Sequence, residues 1–493
     1  MAFRKSPLPG GSPGRRWPRT LLRVGVVILA VLTPPLVVGV RNATSYLHTL
    51  YEPATDTTVP ASVRDATPAP HDPAKRTVVI LLSNQGAHVG DALGPYETFA
   101  ATGAFNLYTA APERKRVTLL GGLDIVPDFS LAALDGRLAG KAPDVVVVPQ
   151  MPAAEQAVSA PVRNWLARQA QRGTLVLGVC IGAEVLASAG LLDGRDATSH
   201  WFRLGALGEA YPDVHWQRGT RYVDDGDIIT TGGVLSGIDG SLRVIERMLG
   251  TQAAARAAAA VGWRHYSAGG PAPLPSSSFG LSDTIAGINL TFRPRPTIGV
   301  ILTDGVGELE LASIFGSYTE AAYAARTRAI SAGATAPIRS RHGLIFVPRG
   351  DAFAERDLDR LIVPGADAAR VRRTALDARS RDVLHIVPEF PHAGPGFAFD
   401  AVLRDMARTI DVPTARWRAK TLEYPPSDLD GVTGPGWPWP AMLLPLLYGV
   451  GGLVVLVAVR WAVRKVRSRR RTPSGHDSSA PATRDAVDVR TAV

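Results

Sequence analysis

With a single cysteine in 493 residues, Cys180, the chain cannot close an internal disulfide, so its stability must come from packing. It also lacks a basic middle. The formal charge is +10, yet residues 1–23 hold six basic groups and no acid, and residues 460–493 hold nine basic groups against three acidic. Residues 24–459 are left with 39 basic against 41 acidic groups, which argues against a nucleic-acid surface there. What the chain does have is apolar material, 46% of its residues, enough for an ample core.

Two long runs lack any charge. Residues 24–40 (VGVVILAVLTPPLVVGV) follow Arg15, Arg16, Arg19 and Arg23. Residues 441–459 (AMLLPLLYGVGGLVVLVAV) follow Trp437 and Trp439 and precede RWAVRKVRSRRR. Crossing a hydrocarbon core takes about 20 apolar residues, with roughly 17 still workable. The second run meets this comfortably; the first is near the limit and contains Pro34-Pro35. Basic clusters at the outer ends of both predict a two-pass cell-membrane protein with both termini cytoplasmic and the central domains outside. A cleaved signal peptide is the alternative for the first run, although no clear A-x-A site follows it.

The expected order is a basic cytoplasmic segment (1–23), a transmembrane helix (24–40), a proline-rich linker (41–75), an α/β domain (76–250), a second linker (251–295), a degenerate second copy (296–420), a transmembrane helix (441–459) and a basic, disordered cytoplasmic tail (460–493). Within 76–250, continuous apolar runs such as TVVILL (77–82), DVVVVP (144–149) and TLVLGV (174–179) read as parallel strands buried on both faces. Helical stretches alternate with them, which points to an open, mostly parallel sheet. From Pro296 the opening recurs. TIGVILTDGVGELELASIFGSYTEA parallels TVVILLSNQGAHVGDALGPYETFAA, and HGLIFVPRG parallels GGLDIVPDF. Two matches in the same order predict a tandem duplication whose second copy has no G-x-C-x-G.

Gly178-Val179-Cys180-Ile181-Gly182 has the spacing of a nucleophile elbow, where a tight turn needs small neighbours. A following helix would aim its amides at the sulfur and lower the thiol pKa. The competing reading is a buried, inert cysteine. His200, in DATSHW, is a candidate partner for the thiol, though a histidine beside tryptophan is more often structural. Asp91 sits where a carboxylate commonly caps a helix, or it could share a proton with the thiol. Glu97 and Glu184 are expected on solvated helix faces.

The segment GVCIGAEVLASAGLLDGRDATSHW, together with DALGPYETF, resembles the ThiJ/PfpI family of the class I glutamine amidotransferase-like superfamily. The likeness is greatest to its branch of AraC-type regulator amino-terminal domains and isocyanide hydratases. The resemblance implies a flavodoxin-like fold, in tandem here and flanked by the two membrane helices. It also implies Cys180 at the elbow, His200 near it and Asp91 facing the thiol. Ile181, Gly182 and Gln150 would then be the substrate-binding or oxyanion positions. Pro149-Gln150-Met151 departs from the family's Pro-Gly-Gly, which puts that hole in doubt. No metal or cofactor is expected. Two functions follow: cysteine-dependent chemistry of a hydrolase or hydratase-like lyase on a small molecule, or non-catalytic small-molecule sensing without a DNA-binding module. An assembly role, as a homodimer or a pseudo-dimer within the chain, is a third.

Overall fold

The computed structural model describes residues 17–469 except 67, 155, 272, 276, 334 and 366–383. The expectations for the basic segment before residue 17 and the tail after 469 lie outside the described residues. The chain divides into two compact units, one of Val38–Leu443 and one of the segments up to Val37 and from Leu444.

The helices Trp17–Thr49 and Trp439–Arg469 continue past the segments predicted at 24–40 and 441–459. Both are long and apolar enough to cross a membrane. They meet at small residues, as helices do where backbones approach closely: a Cβ on Gly452 would lie 1.9 Å from the Ala30 carbonyl oxygen.

Val38–Leu443 is built on a seven-stranded sheet. Its spatial order is Tyr222–Asp225, Ile228–Thr231, Leu175–Gly178, Val145–Val148, Arg76–Leu81, Phe105–Ala111 and Phe129–Ser130. All pairings are parallel except the first, a hairpin around Asp225-Gly226. Val145–Val148 is wholly buried, as a central strand covered on both faces must be. A hairpin at Gly121-Gly122 forms between Val117–Leu119 and Leu123–Val126.

The second half repeats part of this plan. Thr297–Ile301 lies between Arg326–Ile330 and Arg360–Ile362, all parallel, just as Arg76–Leu81 lies between Phe105–Ala111 and Val145–Val148. The two halves also share a four-stranded antiparallel sheet, in which Ile345–Val347 pairs with Leu123–Val126. The helices Val89–Ala100 and Glu308–Thr319 pack against each other and are buried almost throughout. One continuous core runs from Leu93 and Phe99 to Phe315, Phe399 and Val402. The stretch 251–295, expected to connect the halves, does so with two helices, Thr251–Ala260 and Thr284–Phe292. At the other connection Tyr46 is buried and donates to the Ala325 carbonyl (2.7 Å).

Candidate functional site

The strand Leu175–Gly178 runs into Cys180, whose φ of 57° lies in the left-handed region. For a residue with a Cβ that backbone costs about 1–2 kcal/mol, so the surroundings must enforce it. Gly182 shows how. A Cβ there would stand 2.0 Å from the Val148 carbonyl oxygen, so only glycine lets the turn press against the neighbouring strand. The Cys180 N–H donates to Thr231 Oγ1 (3.3 Å), and its carbonyl accepts from Ser199 Oγ (2.8 Å).

The thiol is buried, and its pKa is pushed well above the ordinary value. Burial is the main cause, and the carboxylates of Asp91, Glu320 and Glu423 add to it, while the Ile181 N–H works the other way. This corrects the expectation of a thiol activated by the helix dipole. The following helix, Gly182–Ser188, has only seven residues, too little to offset burial and three acids.

Asp91 is completely buried. Rather than capping its helix, it sits in the first turn, because the helix begins at Val89 with His88 as its N-cap. Asp91 Oδ2 accepts from the Gln150 N–H (3.1 Å). His88 Nδ1 is 3.1 Å from Asp91 Oδ1, and its Nε2 is 2.6 Å from Glu320 Oε2. Burial opposes a charged ring, but the two flanking carboxylates prevail and raise His88 to about 10. The ring is thus ion-paired with both acids, and its Nδ1 also faces the Asp91 N–H at 3.1 Å. Glu320 is correspondingly held down at about 2: burial works against its charge, and the neighbouring His88 and Arg418 outweigh that.

His200 is spoken for on both sides. Its Nε2 lies 2.8 Å from the Thr421 carbonyl and donates to it, while Nδ1 faces the Phe202 N–H at 3.4 Å. Cys180, Ile181, His200 and Gln150 line a cavity of about 330 Å³, which Glu320, Tyr323, Trp417 and Arg418 close from the second half. Of the three positions expected to stabilise an oxyanion, Ile181 keeps its N–H on the thiol, and the amides of the other two are engaged elsewhere. The Gly182 N–H bonds to the Val179 carbonyl (2.7 Å), and that of Gln150 goes to Asp91. Asp91 is not on the cavity wall; it acts on the thiol only through its charge. Glu184 pairs with Arg203 (3.0 Å).

Sequence reasoning missed His88, Glu320 and Arg418. His88 had a signal, three residues before Asp91 and so on the same helical turn. The other two carry no motif.

Among the described residues one group has metal-ligand chemistry: Glu97, Glu308 and His342. These three are already bonded to protein. Glu97 accepts from the Leu309 N–H (2.6 Å) and from Arg341 (3.1 Å), and Glu308 accepts from Ser340 (2.5 Å) and lies 2.8 Å from His342 Nδ1. A guanidinium already supplies the positive charge, so the group does not call for a metal. Glu97 itself, expected in solvent, is buried between the two packed helices.

A buried parallel strand ends in the strained cysteine, with a buried acid behind it. Residues 76–247 belong to the DJ-1/PfpI family. Over 91 residues the chain is 44% identical to the HTH-type transcriptional regulator GlxA of Rhizobium meliloti (strain 1021), covering 18% of this chain and 28% of that one. It is 29% identical over 175 residues to an isonitrile hydratase of Pseudomonas putida, 33% of this chain and 68% of the hydratase. It is 33% identical over 138 residues to an uncharacterized protein in the cpoL 5′ region of Streptomyces lividans, 27% of this chain and 94% of that protein. The chain thus spans only about 28% of the length of the regulator. The DJ-1/PfpI match ends before Phe279, Glu320, Trp417 and Arg418, so much of the cavity wall comes from outside the family domain.

Proposed function

We propose that the protein is a membrane-anchored binding module whose Cys180 cavity holds a small molecule without turning it over. The observation that carries this is the His200 ring, whose Nε2–H donates to the Thr421 carbonyl, leaving the thiol without a free base. The buried thiol beside three carboxylates supports the same reading, as does likeness to a transcriptional regulator. The second half acts as a built-in partner copy, a reading supported by its repeated strand order. Both apolar helices span the membrane with their basic flanks in the cytoplasm and Val38–Leu443 outside, with no nucleic acid as partner.

Cysteine-dependent hydrolysis or hydration is the second reading. It is favoured by the strained backbone at Cys180 and by the isonitrile hydratase among the relatives. Alkylation of Cys180 by iodoacetamide against pH, in the detergent-solubilised chain, separates the two. The binding reading expects a rate that still climbs above pH ~8.5, the free thiol's value. A rate already at its plateau near pH 7 would sink it in favour of an activated nucleophile. Protease protection tests the topology: cleavage near residue 300 from the cytoplasmic side only would overturn the exported placement.

A further inference from the structure

We infer that the Cys180 cavity selects a small apolar molecule bearing one carboxylate, received by the Arg418 guanidinium. This rests on the binding reading above and names the ligand class of that same cavity.

Arg418 is 1% exposed and lines the cavity from the helix Val412–Leu422. A guanidinium carries five N–H donors in a rigid fork, and burying it is costly unless those donors are met. Here only Nη1 is served, by Thr421 Oγ1 at 3.1 Å, with Glu320 Oε2 at 3.5 Å. Nε and Nη2 have no hydrogen-bond partner among the described residues. Glu320 does not meet the need, because the same Oε2 lies 2.6 Å from His88 Nε2. An arginine held in this way matches the two oxygens of a carboxylate.

The rest of the wall defines the body of the ligand. Phe202, Phe279, Leu290 and Trp417 are apolar, and Phe279 stacks on Trp417 with centroids 5.9 Å apart. The other cation on the wall, Arg203, is paired with Glu184 at 3.0 Å. One cation with unmet donors suits a monoanion better than a phosphate or sulfate dianion. A volume of about 330 Å³ suits a molecule of the size of a substituted benzene ring.

The test uses the full chain in detergent with three probes: sodium benzoate, benzamide and sodium sulfate. The readouts are tryptophan fluorescence and protection of Cys180 from iodoacetamide. Benzoate should protect and bind at least about tenfold more tightly than the isosteric benzamide, and sulfate should do neither. Arg418→Gln should bring benzoate down to the benzamide level, and Arg418→Lys should fall between. If Arg418→Gln does not fold, the benzoate-to-benzamide ratio of the unmodified chain decides. Equal binding of the two, protection by sulfate, or rapid alkylation that benzoate leaves unslowed overturns the carboxylate assignment while the cavity stands as a binding site. If iodoacetamide cannot reach Cys180 even without a probe, the cavity reading falls, and this inference with it.

Discussion

The helices Val89–Ala100 and Glu308–Thr319 present each other with two ends of opposite character. At one end Glu320 reaches back to His88 at the start of the partner helix, and at the other Glu97 reaches the Leu309 N–H at the start of its own partner. The gesture is the same, an acid from one helix against the N-terminus of the other, where the macrodipole favours it. The surroundings differ. Near Cys180 a histidine is buried between two acids and holds Glu320 as a carboxylate. At the far end Glu97 and Glu308 crowd each other, and their cations, Arg341 and His342, stay partly in solvent. Burial and the Glu308 charge push Glu97 up to about 7. Two copies of one packing device have become a locked charge cluster and a soft one, and the locked one adjoins the cavity.

The largest expected effect breaks the locked end. His88→Ala leaves Asp91 without its ion-pair partner and Glu320 with only the more distant Arg418, and should cost about 3–5 kcal/mol in chemical denaturation of the solubilised chain. Glu97→Gln keeps an acceptor for Leu309 and relieves repulsion from Glu308, so it should change stability by less than about 1 kcal/mol. Equal losses for the two would dissolve the contrast. Next in size comes Gly182→Ala, which drives a Cβ into the Val148 carbonyl and should cost about 2–3 kcal/mol. A neutral result would mean that the elbow does not need its close approach.

The finest test is pH. His88 is raised from 6.5 to about 10, so its contribution is whole below pH 6.5 and is lost as pH climbs towards 10. Glu97 is also raised, from 4.5 to about 7, so its contribution is whole below pH 4.5 and lost as pH rises through 7. Glu320 has the opposite sign: lowered from 4.5 to about 2, it loses its contribution as pH falls between those values. Denaturation midpoints across pH should therefore show that Glu97→Gln flattens the decline between 4.5 and 7 and leaves the decline above 6.5 intact. A variant curve parallel to the parent's in the lower window would refute the Glu97 assignment.

Much of this was legible in the sequence. Apolar runs without alternation announced the parallel strands, and glycines two residues either side of Cys180 announced the elbow. His200 was found as a residue, and Thr421 could not be, since only the packing of one half on the other brings that carbonyl within 2.8 Å. Glu320 and Arg418 escaped for the same reason: they reach the site from a half that has no cysteine of its own. Glu97 was misjudged because a carboxylate on a helix is solvated by default, and only the partner helix buries it. The direction of the thiol shift was misjudged because spacing reveals the helix dipole but not the acids gathered from elsewhere in the fold.

The bond between His200 and Thr421 also sets an order in time. The two residues lie 221 positions apart. At ribosomal speeds of about 5–20 residues per second, roughly 10–40 s separate the synthesis of the histidine from that of the carbonyl that covers it. During that interval the nascent chain carries an open elbow, and no second cysteine exists in the sequence with which it could mispair. The segment around Thr421, made 221 positions after the histidine, is what shuts the site.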